Sequence, residues 1–227
     1  MIRHIIFDAY GTLISTGDGS IRATQSIWQR HDARADATTI YREWKRYHRE
    51  HIDTLTAFVP EREIFVRDLQ RLYDAHGIRG DAAEDVTPML DSQYHRALFD
   101  ETREVLDALR EQYDIAIGST TDTAPLLDNL KRGNLYIDHI FTSESLRVYK
   151  PNPTFYTAIL TAMGWSADET LFVGDSPIDD VAGPKRVGMR AILLDRNNRH
   201  TGASLPTAPD AIIQHLKQLK DIISAIS

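Results

Sequence analysis

Five short apolar runs in this chain close on, or just before, a polar residue, and three of those residues carry groups that can do chemistry. Ile5-Ile6-Phe7 ends at Asp8, Ile115-Ala116-Ile117 leads to Ser119, and Leu171-Phe172-Val173 leads to Asp175. The other two are Ile140-Phe141 before Ser143 and Ile192-Leu193-Leu194 before Asp195. Lys150 joins them from Tyr149-Lys150-Pro151-Asn152-Pro153, just ahead of an expected helix. One carboxylate can serve as a covalent nucleophile, a second can hold a hard cation, and a hydroxyl and an ammonium can stabilise negative charge. Any one of the four alone reads as a helix cap or a surface group. Together at one sheet edge they read as a site.

The apolar runs read as buried parallel strands, which are hydrophobic on both faces because helices cover both. In an open sheet of this kind, ligands bind at the carboxyl ends of the strands, where these polar residues fall. Beyond residue 100 the runs alternate with helical patterns such as Val105-Leu106-Leu109 and Phe155-Ile159-Leu160-Met163, giving βα units. From about residue 19 to 98 the texture is charged and helically periodic instead, with Trp28, Ile40, Trp44, Phe65, Leu69 and Leu72 expected inward. The expected fold is therefore α/β: a parallel-sheet core over residues 1–16 and 99–227, interrupted by an all-helical cap over 17–98. Thr16-Gly17-Asp18-Gly19 is too short for a nucleotide loop and reads as a turn and hinge. The closing pattern Ala211-Ile212-Leu216-Leu219-Ile222-Ile223 reads as an amphipathic helix packed on the core.

The 227 residues suffice for a sizeable core without disulfide or metal staples. With 26 Lys and Arg against 33 Asp and Glu, the net charge of -7 argues against a nucleic-acid partner. The absence of Cys removes thiolate nucleophiles, iron-sulfur clusters and Cys-based zinc sites, and accords with a reducing cytoplasm. No run approaches the length of a membrane span, and the first apolar stretch meets Asp8 before a signal-peptide core forms, so a soluble, unprocessed protein is expected. His48 and His51 lack a metalloprotease spacing and read as a surface helix. Oligomeric state is not readable.

The segments Phe7-Asp8-Ala9-Tyr10-Gly11-Thr12-Leu13, Ile117-Gly118-Ser119-Thr120, Lys150-Pro151 and Gly174-Asp175-Ser176-Pro177-Ile178-Asp179-Asp180 resemble, in order and spacing, the four motifs of the haloacid dehalogenase superfamily of aspartate-nucleophile hydrolases. The resemblance covers nearly the whole chain and implies a Rossmann-like core with a helical cap inserted after the first motif. It implies that Asp8 is the nucleophile, that Lys150 and Ser119 assist it, and that Thr120 and the amides of Gly11 and Thr12 bind substrate oxygens. It also implies magnesium held by Asp8, Asp175 and the Tyr10 carbonyl, with Ser176, Asp179 and Asp180 in support. Asp180 matches the second family acid better than Asp179.

Two motifs pull apart. Most phosphatases of the superfamily carry an acid two residues after the nucleophile, where this chain has Tyr10. In this it looks like the metal-independent 2-haloacid dehalogenases, whose halide leaves without a proton, and Arg42 lies near where those enzymes place a halide-binding Arg. Tyr156, six residues after Lys150, adds to that likeness. A solvated helix face shared with Arg46 and Arg49 is the plainer reading of Arg42. Asp175 points the other way, because two carboxylates about 4 Å apart repel by roughly 4 kcal/mol at an effective dielectric of 20, which a divalent cation relieves. The balance favours magnesium-dependent hydrolysis of a small phosphorylated metabolite, with dehalogenation as the alternative and a non-catalytic phosphoacceptor domain as a minor one.

Overall fold

The computed structural model describes residues 1–33, 36–200 and 204–226. Among them six strands form one sheet: β1 (His4–Phe7), β2 (Asp114–Ser119), β3 (His139–Thr142), β4 (Thr170–Gly174), β5 (Arg190–Leu194) and β6 (Ala211–Ile213). All pairings are parallel, in the order β3-β2-β1-β4-β5-β6. Strand β1 is therefore flanked by β2 and β4, with Phe7 in register with both Ile117 and Val173. That register brings the residues following three strands to one edge of the sheet.

Alternation along the strands divides the core. Ile5 and Phe7, with Ile117, Val173 and Ile192, pack against α6 (Thr102–Arg110), α7 (Thr123–Arg132) and α11 (Leu219–Ile226). Ile6, Ala116 and Phe172 face the other way, onto Phe155, Tyr156 and Ile159 of α9 (Pro153–Met163). Covering both faces accounts for the near-continuous apolar runs.

The expected helix over residues 211–223 is corrected. Ala211–Ile213 is the edge strand β6, and α11 begins only at Leu219. The same apolar spacing fits both periods. The open edge of β5 decides it: its backbone is bound by Asp210, whose amide donates to the Ala191 carbonyl and whose carboxylate accepts from the Ala191 amide, and by the Asp195 amide donating to the Ile213 carbonyl.

Between β1 and α6 run α1 (Gly19–Gln29), α2 (Ala37–Thr54), α3 (Glu61–His76), α4 (Ala82–Asp85) and α5 (Thr87–Gln93). They share a separate apolar cluster centred on Trp28, Ile40, Trp44, Leu69, Leu72 and Tyr73, with Phe65 partly buried against it. The molecule is thus a Rossmann-like parallel sheet with a helical cap. The strands entering and leaving the cap lie side by side: Ser15 donates to Ala97 O at 2.8 Å and Phe99 to Leu13 O at 3.0 Å. No helix among the described residues is long and apolar enough to cross a membrane.

Leu72 is fully buried in the cap cluster, so Leu72→Ala should lower unfolding free energy by about 2–5 kcal/mol through lost burial and a residual cavity. Urea unfolding followed by circular dichroism measures this, and a change below about 1 kcal/mol would contradict the packing described.

Candidate active site

The loop after β1 sets the floor of the site. The Leu13 and Ile14 amides both donate to Ala9 O at 2.8 Å, and the Gly11 amide donates to Ile14 O at 2.8 Å, closing a tight turn directly behind Asp8. Gly11 has φ +96°, and a Cβ there would collide with the Asp175 carboxylate. Gly174 makes the same allowance for Asp180, whose carboxylate occupies the space a Cβ would need. Both glycines let acidic side chains from the end of β4 and the following turn close on β1.

Lys150 ties these pieces together. Its Nζ lies 2.7 Å from Asp8 Oδ1 and 2.7 Å from Asp180 Oδ1, and the side chain is 2% exposed. Asp180 Oδ2 accepts from the Ser176 amide at 2.9 Å. Ser176 Oγ in turn accepts from the Asp179 amide at 3.1 Å, capping a π-helical turn over Pro177–Ala182. Ser119, at the end of β2, donates to Asp8 Oδ1 at 3.4 Å.

The acids outnumber the base. Carboxylate oxygens of Asp8, Asp175 and Asp180 all fall within 4.8 Å of one another, with Lys150 as the only cation in contact with them among the described residues. Burial, then the charges of Asp8 and Asp180, push the Asp175 carboxyl up to about 8. Burial raises Asp180 to about 6 against the pull of Lys150. Lys150 itself is raised, because the attraction of Asp180 and Asp8 overcomes its desolvation. An all-oxygen cluster with excess negative charge fits a hard divalent cation. The Tyr10 carbonyl, beside this cluster in sequence, accepts no hydrogen bond from the described residues.

The other expected residues divide. The Gly11 amide, expected to face substrate oxygens, is instead consumed by Ile14 within the turn. The Thr12 and Thr120 hydroxyls are buried without hydrogen-bond partners among the described residues. The Tyr10 phenol accepts from Asn129 Nδ2 at 3.0 Å and lies under the Arg96 guanidinium, 4.6 Å from the ring centre. Burial pushes its pKa up to about 12, opposed by Arg96 and Asn129. Asp179 turns away from the acidic cluster to the cap, where both its oxygens accept from Arg49 Nη1 at 2.8 and 3.1 Å. Arg42 is exposed and lines the open cleft beside Asp175. Tyr156 is buried, its hydroxyl donating to the Asp179 carbonyl. The surface reading of His48 and His51 is corrected: both are half-buried and bracket the buried Asp68 carboxylate at 3.1 and 2.9 Å.

Two spaces open above the site. A cleft of about 650 Å³ between cap and core is lined by Gly11, Asp175, Arg42, Arg196 and Arg199. A smaller chamber of about 190 Å³ lies beyond Tyr10, walled by α2, α3 and the Thr120-Thr121 loop. Lys45, Trp44 and Arg96 line it; sequence reasoning placed Trp44 inward as a packing residue and singled out neither Lys45 nor Arg96.

These features accord with comparisons to known proteins. Residues 2–188 match the family model of haloacid dehalogenase-like hydrolases. An alignment 137 positions long, covering 56% of this chain and 57% of the other, shows 31% identity to a ribulose-1,5-bisphosphate 5-phosphatase from Halopiger xanaduensis. The fold superposes on L-2-haloacid dehalogenase from Xanthobacter autotrophicus with a TM-score of 0.80 at 20% identity, covering 100% of both chains. It superposes on the HAD-hydrolase YfnB from Bacillus subtilis, bound to magnesium, with a TM-score of 0.81 at 18% identity, covering 98% of this chain and 99% of that one. With the family model matching most of its length, the chain belongs to the haloacid dehalogenase-like hydrolases.

Proposed function

We propose that this hydrolase cleaves small phosphorylated metabolites with the help of magnesium, through an aspartyl-phosphate on Asp8, residues 1–16 and 99–227 acting as catalytic core and 17–98 as cap. The observation that carries this reading is the carboxylate cluster of Asp8, Asp175 and Asp180 within 4.8 Å, balanced by a single ammonium. The cytoplasm is the proposed compartment, in keeping with a chain that has no Cys.

In the first step an Asp8 carboxylate oxygen forms a bond to phosphorus while the ester P–O bond breaks, and the leaving oxygen takes up a proton from a solvent water. Water then attacks the aspartyl-phosphate, releasing inorganic phosphate and restoring the carboxylate. Lys150 fixes Asp8 by its 2.7 Å contact and offsets part of the charge gathering there. Ser119 and Thr120, with the Thr12 amide, are the proposed donors to phosphoryl oxygens. Asp8, Asp175 and the Tyr10 carbonyl would hold the magnesium, which would neutralise charge on the transferring group. Asp180 and Ser176 hold this arrangement in place, and Asp179 links it to the cap. Arg42 is assigned to substrate approach along the cleft.

A second reading, hydrolytic dehalogenation of a 2-haloacid through an aspartyl ester, is favoured by one observation: Tyr10 stands two residues after Asp8, and a phenol with a pKa of about 12 is a poor proton donor. Purified protein given p-nitrophenyl phosphate with magnesium, and 2-chloropropionate with chelator, separates the two. Turnover only in the second assay would overturn the phosphatase reading.

Three outcomes are expected. Asp8→Asn should reduce turnover to below a few per cent with the fold intact by circular dichroism, since an amide is a poor nucleophile. Tyr10→Asp should raise turnover of alkyl phosphates relative to p-nitrophenyl phosphate by about a hundredfold, by placing an acid where the leaving oxygen needs one. An unchanged ratio across neutral and mildly acidic pH would show that Tyr10 does not occupy the acid's place.

The third concerns pH. A carboxyl whose folded pKa is raised, from 3.8 to about 8 for Asp175, holds its proton longer in the native state. Stability in chelator should therefore fall as pH rises through that window. His48, raised to about 9 by Asp68 and Glu61 against desolvation, adds a fall of the same sign from its ordinary 6.5 upward. Thermal unfolding should show a lower Tm at pH 8 than at pH 5 in chelator, recovery on adding magnesium at pH 8, and a shallower slope in Asp175→Asn. A Tm that rises over this interval in chelator would contradict the electrostatics described.

A further inference from the structure

The chamber beyond Tyr10 has the wrong charge for this protein. The chain carries a net charge of -7, yet the ionisable side chains along the chamber are Lys45, His48 and Arg96 against Glu61 alone, besides the phenols. Glu61 is engaged by His48 Nε2 at 3.5 Å. Lys45 makes no ion pair among the described residues and lies 5.3 Å from the centre of the Tyr41 ring. Arg96 likewise has no carboxylate partner: it lies over Tyr10 and donates to Ser20 Oγ at 3.3 Å. On the next turns of α2 the basic side chains are matched, Arg46 with Glu50 at 2.6 Å and Arg49 with Asp53 at 2.6 Å. His48 on the same helix is met by Glu61 and Asp68, whereas Arg42 and Lys45 make no ion pair among the described residues, and Lys45 lines the chamber as well as the wider cleft.

One further group in the walls lacks a partner. Trp44 is fully buried and its indole N–H has no acceptor among the described residues. A buried donor left unsatisfied destabilises the fold, so its retention beside unmatched cations calls for an acceptor brought from outside. Tyr10, Tyr41, Trp44 and Phe65 supply aromatic walls. At about 190 Å³ the chamber holds roughly six waters at ~30 Å³ each, or about as many non-hydrogen atoms.

We propose that the chamber binds the organic part of the substrate, that this part is compact and carries a second anionic group, and that Lys45 and Arg96 select it. The inference rests on the phosphatase reading and deepens it to a substrate class: phosphate monoesters of short hydroxy acids or of short diols bearing a second phosphate. Carboxylate and phosphate share the chemistry of an anionic acceptor, met by an ammonium, a guanidinium and an indole N–H. Lys45 and Arg96 are specificity residues, since neither contacts Asp8.

The test is calorimetric titration of Asp8→Asn protein, which binds without turning over, in the presence of magnesium. Three esters serve as probes: the phosphate of β-hydroxypropanoate, butyl phosphate, whose organic part is of similar length and uncharged, and the bisphosphate of trimethylene glycol. At least one anionic ester should bind about tenfold or more tightly than butyl phosphate, and which one does so identifies the second anion. Lys45→Gln and Arg96→Gln, each added to Asp8→Asn, should shrink that preference, and together bring it close to unity. Lys45 is exposed, so its variant keeps the test open should Arg96→Gln disturb packing. Equal binding of all three esters, or a preference that survives both substitutions, would overturn the proposal. Hydrolysis of p-nitrophenyl phosphate by the unsubstituted protein is measured alongside: its absence counts against the phosphatase reading, while equal binding with hydrolysis intact defeats the chamber alone.

Discussion

A buried ammonium shared by two carboxylates is the constraint on which the rest of the site depends. Lys150 arrives from the loop ahead of α9, Asp8 from the end of β1 and Asp180 from the turn after β4, and both contacts are 2.7 Å. Removing one partner of such a cluster strands the others in a low-dielectric interior, a loss on the order of 3–5 kcal/mol. Three separate stretches of chain are therefore held to one arrangement by charge. Gly11 and Gly174 serve the same end, because each clears the volume an acidic side chain must enter. Asp175 is the member this arrangement does not satisfy, and its raised affinity for a proton is the mark of that imbalance.

The cap meets this cluster through its own polar contacts. Arg49 of α2 reaches Asp179, the neighbour of Asp180, and the amides of Glu61 and Arg62 at the start of α3 donate to Asp122 of the core at 2.9 and 3.1 Å. Tyr149, next to Lys150, donates to Val59 O at 2.9 Å. Beside these polar contacts the rings of Phe58 and Tyr149 stack at 5.4 Å, with the Arg147 guanidinium 4.4 Å from the centre of the Phe58 ring. Each body has its own apolar cluster, and the two are held to one another by hydrogen bonds and ring contacts.

Much of this was legible in the sequence. The strands carrying Asp8, Ser119 and Asp175 were readable because doubly covered strands are apolar throughout and end abruptly at polar residues. Register then follows from the parallel order, which brings those ends together. The strand β6 was misread because Ala211-Ile212-Ile213 lies within a spacing that also suits a helix, and only the exposed edge of β5 distinguishes them. For the Gly11 amide the family resemblance implied a donor to substrate oxygens, whereas here it donates to Ile14 O and its positive φ serves the approach of Asp175. Lys45 and Arg96 were illegible for a different reason: what they face depends on how cap and core meet, which no periodicity records.

The pairing of the two linkers has a consequence for how such a protein can change over generations. Ser15 bonds to Ala97 and Phe99 to Leu13, so the chain departs from the sheet and returns to it at adjacent points. Seen from the sheet, everything between is one closed loop, and closing a longer loop adds only about 0.6 kcal/mol for each doubling of length. The inserted helices are thus exchangeable at small thermodynamic penalty, and new substrate preferences can be acquired by replacing or reshaping them while the charge cluster beneath stays untouched.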